Sequence, residues 1–221
     1  MWFAAALVAT VVAVMHLVGA GRYGIFANEL YFIVCGRHPA IGYVDQPPLV
    51  PLLAAATQLG GTNAWLLRLP AVFAAIALVP LTVAFAQLLG GSTRAAWLAA
   101  VAAAASALIT AMTAALSTSS FEPLTFTAVA YFIARGVLRA ESRAFWWAGL
   151  IAGLALEVKY GIVFWLLGIA LGLALFGNRS VWRSRDFWIG AAIAVLLVLP
   201  NAAWQIAHGL PFLERTQRQR R

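Results

Sequence analysis

Charge is scarce in this 221-residue chain. Charged residues make up 10% of it and hydrophobic residues 63%, with a mean hydropathy of +0.89. No soluble core needs so much apolar sequence, and several runs approach or exceed the roughly 18 residues that mark a transmembrane helix. A soluble class is thereby excluded, and the expected fold is an all-α polytopic membrane protein. Lysine occurs once, as Lys159, and acids occur seven times, so the net charge of +8 rests on fourteen arginines. Most of these lie in short loops between apolar runs, where orientation in the bilayer and lipid headgroups account for them; nucleic acid is not an expected partner. The one cysteine, Cys35, excludes an internal disulfide. The first apolar run has no basic residues before it and exceeds the roughly 7–15 apolar residues of a signal peptide. Trp2 to Ala20 therefore reads as a retained helix, with His16 inside it as a packed residue rather than a ligand.

What is present is a sequence of apolar blocks with few interruptions. After the first block comes the longest polar stretch, Arg22 to Leu49, ending in Gln46-Pro47-Pro48, which cannot continue a helix. Within it, Ala27 to Cys35 fits a short helix at the membrane surface; Pro47 to Leu59 fits a second interfacial one, ended by Gly60-Gly61. Full spans are expected over Trp65 to Leu89, with Pro80 as a kink, over Ala95 to Leu116, over Phe121 to Val137 and over Phe187 to Ile206. The loops carrying Arg94, Arg135/Arg139/Arg143 and Arg179/Arg183/Arg185 should share the cytoplasmic side. That parity requires the apolar block Phe145 to Phe176 to be two helices, broken at its only charges, Glu157 and Lys159. The result is about seven crossings, with interfacial helices in the first outer loop. Four polar stations then share the outer side: residues 22–64, Ser117 to Glu122, Glu157 to Tyr160, and the region after Trp204.

The candidates for chemistry are the ionisable groups in those stations. Glu29 and Asp45 are general-base candidates, because a carboxylate near hydrocarbon has its proton affinity set by burial and neighbours. Each also has a plain structural alternative. Glu29 can be a solvated residue on a surface helix, and Asp45 a turn residue before the two prolines. Glu122 can offset a helix dipole. Lys159 can pair with Glu157 or reach headgroups, or else contact a phosphate.

Asn28-Glu29-Leu30-Tyr31 followed by Gly42-Tyr43-Val44-Asp45-Gln46-Pro47-Pro48-Leu49 resembles the first extracytoplasmic loop of GT-C glycosyltransferases, the dolichyl-phosphate-mannose-protein mannosyltransferase-like group that includes the aminoarabinose transferases. Arg68-Leu69-Pro70, Gly149 to Tyr160, and Pro200-Asn201 through Trp204-Gln205 to His208-Gly209 extend the resemblance over nearly the whole chain. It implies one transmembrane module, residues 1–214; the arginine-rich residues after it, 215–221, read as a basic tail without structure. It implies transfer of a sugar from a polyprenyl-phosphate donor to an acceptor on the outer face of a bacterial cell membrane. Glu29 and Asp45 would be catalytic. Asn28, Tyr31, Tyr43, Gln46, Glu122, Lys159, Tyr160 and His208 would bind substrate. The leaving phosphate needs a cation, from Lys159, an arginine or a bound divalent metal. Two departures stand out. Asn28 replaces the first acid of the family's motif and, as an amide, cannot act as a base. The chain is also under half the family's usual length, as an N-terminal part would be. The rival readings are a transporter or flippase, which places charges at broken helices near the membrane midplane, and an inactive fragment of a transferase. Sugar turnover against solute flux discriminates them.

Overall fold

The computed structural model describes residues 2–177 and 179–218. The helices are α1 (Trp2–Ala20), α2 (Ala27–Arg37), α3 (Leu49–Thr57), α4 (Ala64–Leu88), α5 (Thr93–Ala105), α6 (Ala107–Thr113), α7 (Glu122–Leu138), α8 (Ala144–Leu156), α9 (Ile162–Phe176), α10 (Arg185–Ala207) and α11 (Pro211–Arg218); short 3-10 turns cover Thr118–Phe121 and Arg179–Arg183. Among the described residues every element is helical, as a chain with no water to satisfy its backbone requires.

Helix starts follow side-chain chemistry. Asn63 accepts hydrogen bonds from the amides of Trp65 and Leu66 at the start of α4, and Ser92 and Ser184 cap α5 and α10 in the same way. Ser106 caps α6, and that cap explains a break the sequence does not announce. The expected single span Ala95 to Leu116 is two helices bent by 56°, because the extended backbone of Ser106 ends α5 while its hydroxyl starts α6. Conversely α4 runs unbroken through Pro70 and Pro80.

The number of crossings differs from the sequence reading. Three helical stretches are long and apolar enough to cross a membrane, Ala64–Leu88, Thr118–Leu138 and Arg185–Ala207, or four if the bent pair α5–α6 is one span. Ala5–Ala20, Ala144–Leu156 and Ile162–Phe176 are apolar but shorter. At 1.5 Å per residue, the 13 residues of α8 extend about 20 Å, well short of a hydrocarbon core of about 30 Å. About seven crossings are therefore not met by length. The break between α8 and α9 does fall at Glu157, as the parity of the basic loops requires.

Two bodies of packing organise the fold. Ala5 and Val12 of α1, Ala75, Val79 and Val83 of α4, and Ala96 and Ala100 of α5 form one buried cluster. His16 is satisfied within this half, contacting Val12 O at 2.9 Å and Thr113 Oγ1 of α6 at 2.8 Å. In the other half α8 lies against α10 with glycine facing glycine. A Cβ on Gly149 would collide with the backbone of Gly190, and one on Gly190 with the backbone of Phe145. Small residues of this kind let helices approach to backbone contact in a bilayer. The C-terminal stretch is not wholly structureless: α11 continues to Arg218, while residues 219–221 lie outside the described residues.

Candidate active site

The first charged feature is a closed one. Arg68, one turn into α4, and Glu29 of α2 are both buried. Arg68 Nε donates to Glu29 Oε1 at 2.8 Å and Nη2 to Oε2 at 2.7 Å. The remaining guanidinium hydrogens go to the carbonyls of Ala20, Tyr23 and Gly24. Glu29 also accepts from the amides of Phe26 and Leu116, each at 3.1 Å. Each carboxylate oxygen thus has two donors. Burial pushes this carboxyl up, but the hydrogen bonds from Arg68, Phe26 and Leu116 together hold it below its ordinary value. The pair ties the end of α1, the helix α2 and the segment leading into α7 into one frame.

That frame fixes the walls of a polar cavity of about 580 Å³. Asn28, Tyr31 and Phe32 of α2 form one wall; Asp45, Gln46 and Pro47 of the following loop form the next. Ser117, Thr118 and Ser119, adjoining the Leu116 amide that Glu29 holds, lie across from them, with Lys159, Tyr160 and Gly161 from the break between α8 and α9. Inside it, the Tyr31 hydroxyl donates to Asp45 Oδ1 at 2.5 Å. Burial, and then the Asp45 carboxylate, push the Tyr31 hydroxyl well above its ordinary value, so it keeps its proton and donates. Lys159 Nζ lies 2.7 Å from Glu122 Oε1 and 3.1 Å from Ser119 Oγ. Among the described residues no group of three or more His, Cys, Asp or Glu side chains is placed to hold a metal ion. Lys159 brings an ammonium group to the lining of the cavity.

Six of the ten candidates thus line one cavity: Asn28, Tyr31, Asp45, Gln46, Lys159 and Tyr160. Glu122 joins them through its ion pair with Lys159. Tyr43 stands behind the wall, its hydroxyl among the backbone groups of Cys35, His38 and Ala40. Glu29 does not line the cavity; its carboxylate is turned to Arg68 of α4. His208 is exposed beyond α10, stacked on Trp204 at 4.2 Å between ring centroids.

Sequence reasoning missed how α10 supports the loop. Gln205 donates to Tyr43 O at 2.8 Å, and the Trp204 ring packs directly on Gly42. Asn201 bonds to Tyr160. The signal was present as two amides one helical turn apart, Asn201 and Gln205, in an apolar stretch, but their partners lie 41 and 162 residues away in the chain. Besides the polar cavity, α7, α8, α9 and α10 enclose a second one of about 420 Å³ whose lining residues, Leu156 and Ala202 among them, are all apolar. Leu156 of this lining closes α8, and Lys159, Tyr160 and Gly161 of the polar cavity follow it in the chain.

Known proteins match this chain in two ways. A family profile for dolichyl-phosphate-mannose-protein mannosyltransferases matches residues 45–204. The lipid A galacturonosyltransferase RgtD of Rhizobium johnstonii is 29% identical over 201 residues, which are 87% of this chain and 41% of that protein. The chain thus spans about four-tenths of the length of this relative. No solved structure matches the chain.

Proposed function

Because the chain belongs to the dolichyl-phosphate-mannose-protein mannosyltransferase family, we propose that it carries the donor site of a membrane glycosyltransferase using a polyprenyl-phosphate sugar. The location proposed is a bacterial inner membrane, with the cavity on the outer face. The observation that carries the reading is the meeting of Asp45 and Lys159 in one polar cavity, in a fold that also holds a wholly apolar one between α7, α8, α9 and α10. A lipid-linked sugar phosphate has those two halves. Its isoprenoid suits the apolar cavity, and its phosphate suits Lys159 with the hydroxyl of Ser119.

In this reading an acceptor hydroxyl attacks the anomeric carbon of the donor sugar. The bond from that carbon to the phosphate oxygen breaks, and polyprenyl phosphate leaves with the bonding electrons. Its charge is met by Lys159, which exchanges Glu122 for the phosphate. The hydroxyl proton passes to a carboxylate, and we assign that role to Asp45 rather than to Glu29. Glu29 is occupied on both oxygens by four donors and lies outside the cavity lining, whereas Asp45 lines it and accepts a hydrogen bond from the Tyr31 hydroxyl.

The test is transfer from a radiolabelled polyprenyl-phosphate sugar by the protein, or by the assembly it belongs to. Asp45→Asn should cut turnover by about a hundred- to ten-thousandfold while the donor still binds. Lys159→Met should weaken donor binding. Full turnover in Asp45→Asn sinks the assignment, and solute flux in liposomes without any sugar transfer replaces it with the transporter reading.

A further inference from the structure

Past α10 the chain makes a turn that its sequence does not favour. With His208 as the C-cap of α10, the Gly209 amide donates to Ile206 O at 3.2 Å and the Leu210 amide to Gln205 O at 2.7 Å. These two bonds are the Schellman pattern, which asks for one left-handed residue, here Gly209 with φ 77°. Leu210 is a second one, with φ 58°. A side chain there is strained, because its Cβ crowds the following carbonyl. Such strain persists only where the surrounding structure holds it, and it collects at ligand sites.

The strained turn brings Phe212 to the polar cavity. Pro211 opens α11, where its fixed φ suits the first helical position, and Phe212 follows it into the cavity lining. The Phe212 ring meets Tyr160 edge to face, with 4.6 Å between centroids and 71° between planes. Its amide donates to Gln205 Oε1 at 3.4 Å. The same Gln205 side chain donates to Tyr43 O at 2.8 Å. One amide group thus ties α11 to the loop that carries Asp45. Phe212 is half-buried, whereas Leu213 and Glu214 after it are exposed.

We propose that Phe212 packs on the C–H face of the donor's sugar ring and is a specificity-determining residue for that sugar. The inference rests on the reading of this cavity as the donor site. The other walls carry Asn28, Asp45, Ser117, Ser119 and Lys159. A prenyl chain laid among them would leave these polar groups facing hydrocarbon, which costs free energy. A pyranose suits both kinds of wall: its hydroxyls meet the amide, hydroxyl and charged groups, and its C–H face meets an aromatic ring. The cavity, at about 580 Å³, has the size of a small-molecule site, about 300–1,000 Å³. The placement also agrees with the phosphate contact. Tyr160 follows Lys159 in the chain, so a ring seated on Tyr160 is one residue from the ammonium group. The sugar is bonded directly to the phosphate that Lys159 would hold.

The test is the affinity of the full chain for two ligands, a polyprenyl-phosphate hexose and the same polyprenyl phosphate without its sugar. Phe212→Leu should weaken the first about tenfold, the scale of one aromatic contact, and leave the second unchanged. A residue that only supports the fold would move both. Pentafluorophenylalanine at position 212 keeps the shape of the ring, and hence the packing on Tyr160, while reversing the charge of its face. It too should weaken the sugar-bearing ligand and spare the sugarless one. Equal weakening of both ligands by the fluorinated ring overturns the proposal, and so does no weakening of either in a protein whose wild type binds both. Those two results leave the phosphate site standing. A wild type that binds neither ligand ends the donor-site reading, and the proposal with it.

Discussion

At the scale of single residues, the fold depends most on the Arg68–Glu29 pair. Both charges are out of water, so removing one strands the other, at a typical cost of about 3–5 kcal/mol. Glu29→Gln and Arg68→Leu should each lower the melting temperature in detergent strongly. The double variant Glu29→Leu with Arg68→Leu should lose less than the two single losses added together. The sign of the pH dependence follows from the direction of the shift. Glu29 is held below the ordinary 4.5, so its contribution is present above that value and is lost as pH falls through the lower folded-state value. The wild type should therefore lose stability in acid, and Glu29→Gln should lose less of it. Thermal melts from about pH 7 to pH 3 check this; parallel curves for the two proteins would show that Glu29 is not held as described. This pair also marks a limit of the sequence. An acid in the polar loop stands out among seven, and Arg68 stands out inside a span. Nothing local pairs them across 39 residues, and without the pairing Glu29 looks like the base.

At the scale of elements, legibility depended on contrast. The break between α8 and α9 was readable because Glu157 and Lys159 are the only charges in an apolar block. The break between α5 and α6 was not, because a lone serine in an alanine-rich run looks like helix until its hydroxyl is seen capping Ile109. The short helix α2 was readable from its apolar spacing, but not which face met the cavity. Less readable still was the dependence of the Asp45 loop on α10, which follows from contact between Gly42 and the Trp204 ring. A Cβ on Gly42 would lie about 2.5 Å from that ring, so the loop or the ring must move. Gly42→Ala should keep the helical fold and reduce sugar transfer by displacing Asp45. Trp204→Leu, which makes room, should partly restore it in the double variant. Circular dichroism and turnover of the three variants check this. A double variant no better than the worse single one would mean that the contact does not position the loop.

At the scale of the whole molecule, the membrane class was legible from composition alone. The arrangement of polar stations was legible from the parity of the arginine loops, and the number of full-length spans was not. Periodicity and hydropathy find apolar blocks but do not measure them, and the shortness of α8 and α9 appears only when their ends are fixed. Those ends are tied at two levels. Trp146 at the start of α8 donates to Asp186 at the start of α10 at 2.8 Å. At the other ends Tyr160 meets Asn201, Gln205 meets Tyr43, and Lys159 meets Glu122. The stretch Thr118–Leu138 runs from the cavity to the turn at Ser142, and α4 runs from its capping Asn63 beside Thr62 to Gly90. Thr62, on the side of the first loop, and Ser142, at the far end of α7, should therefore lie on opposite faces. Both are exposed, and Cys35 is buried. In a Cys35→Ala background, a cysteine at Thr62 should react with an impermeant thiol reagent added outside intact cells. One at Ser142 should react only after the membrane is opened. Equal labelling of both from outside would mean that the stretch Thr118–Leu138 does not cross, and the outer-face site would go with it.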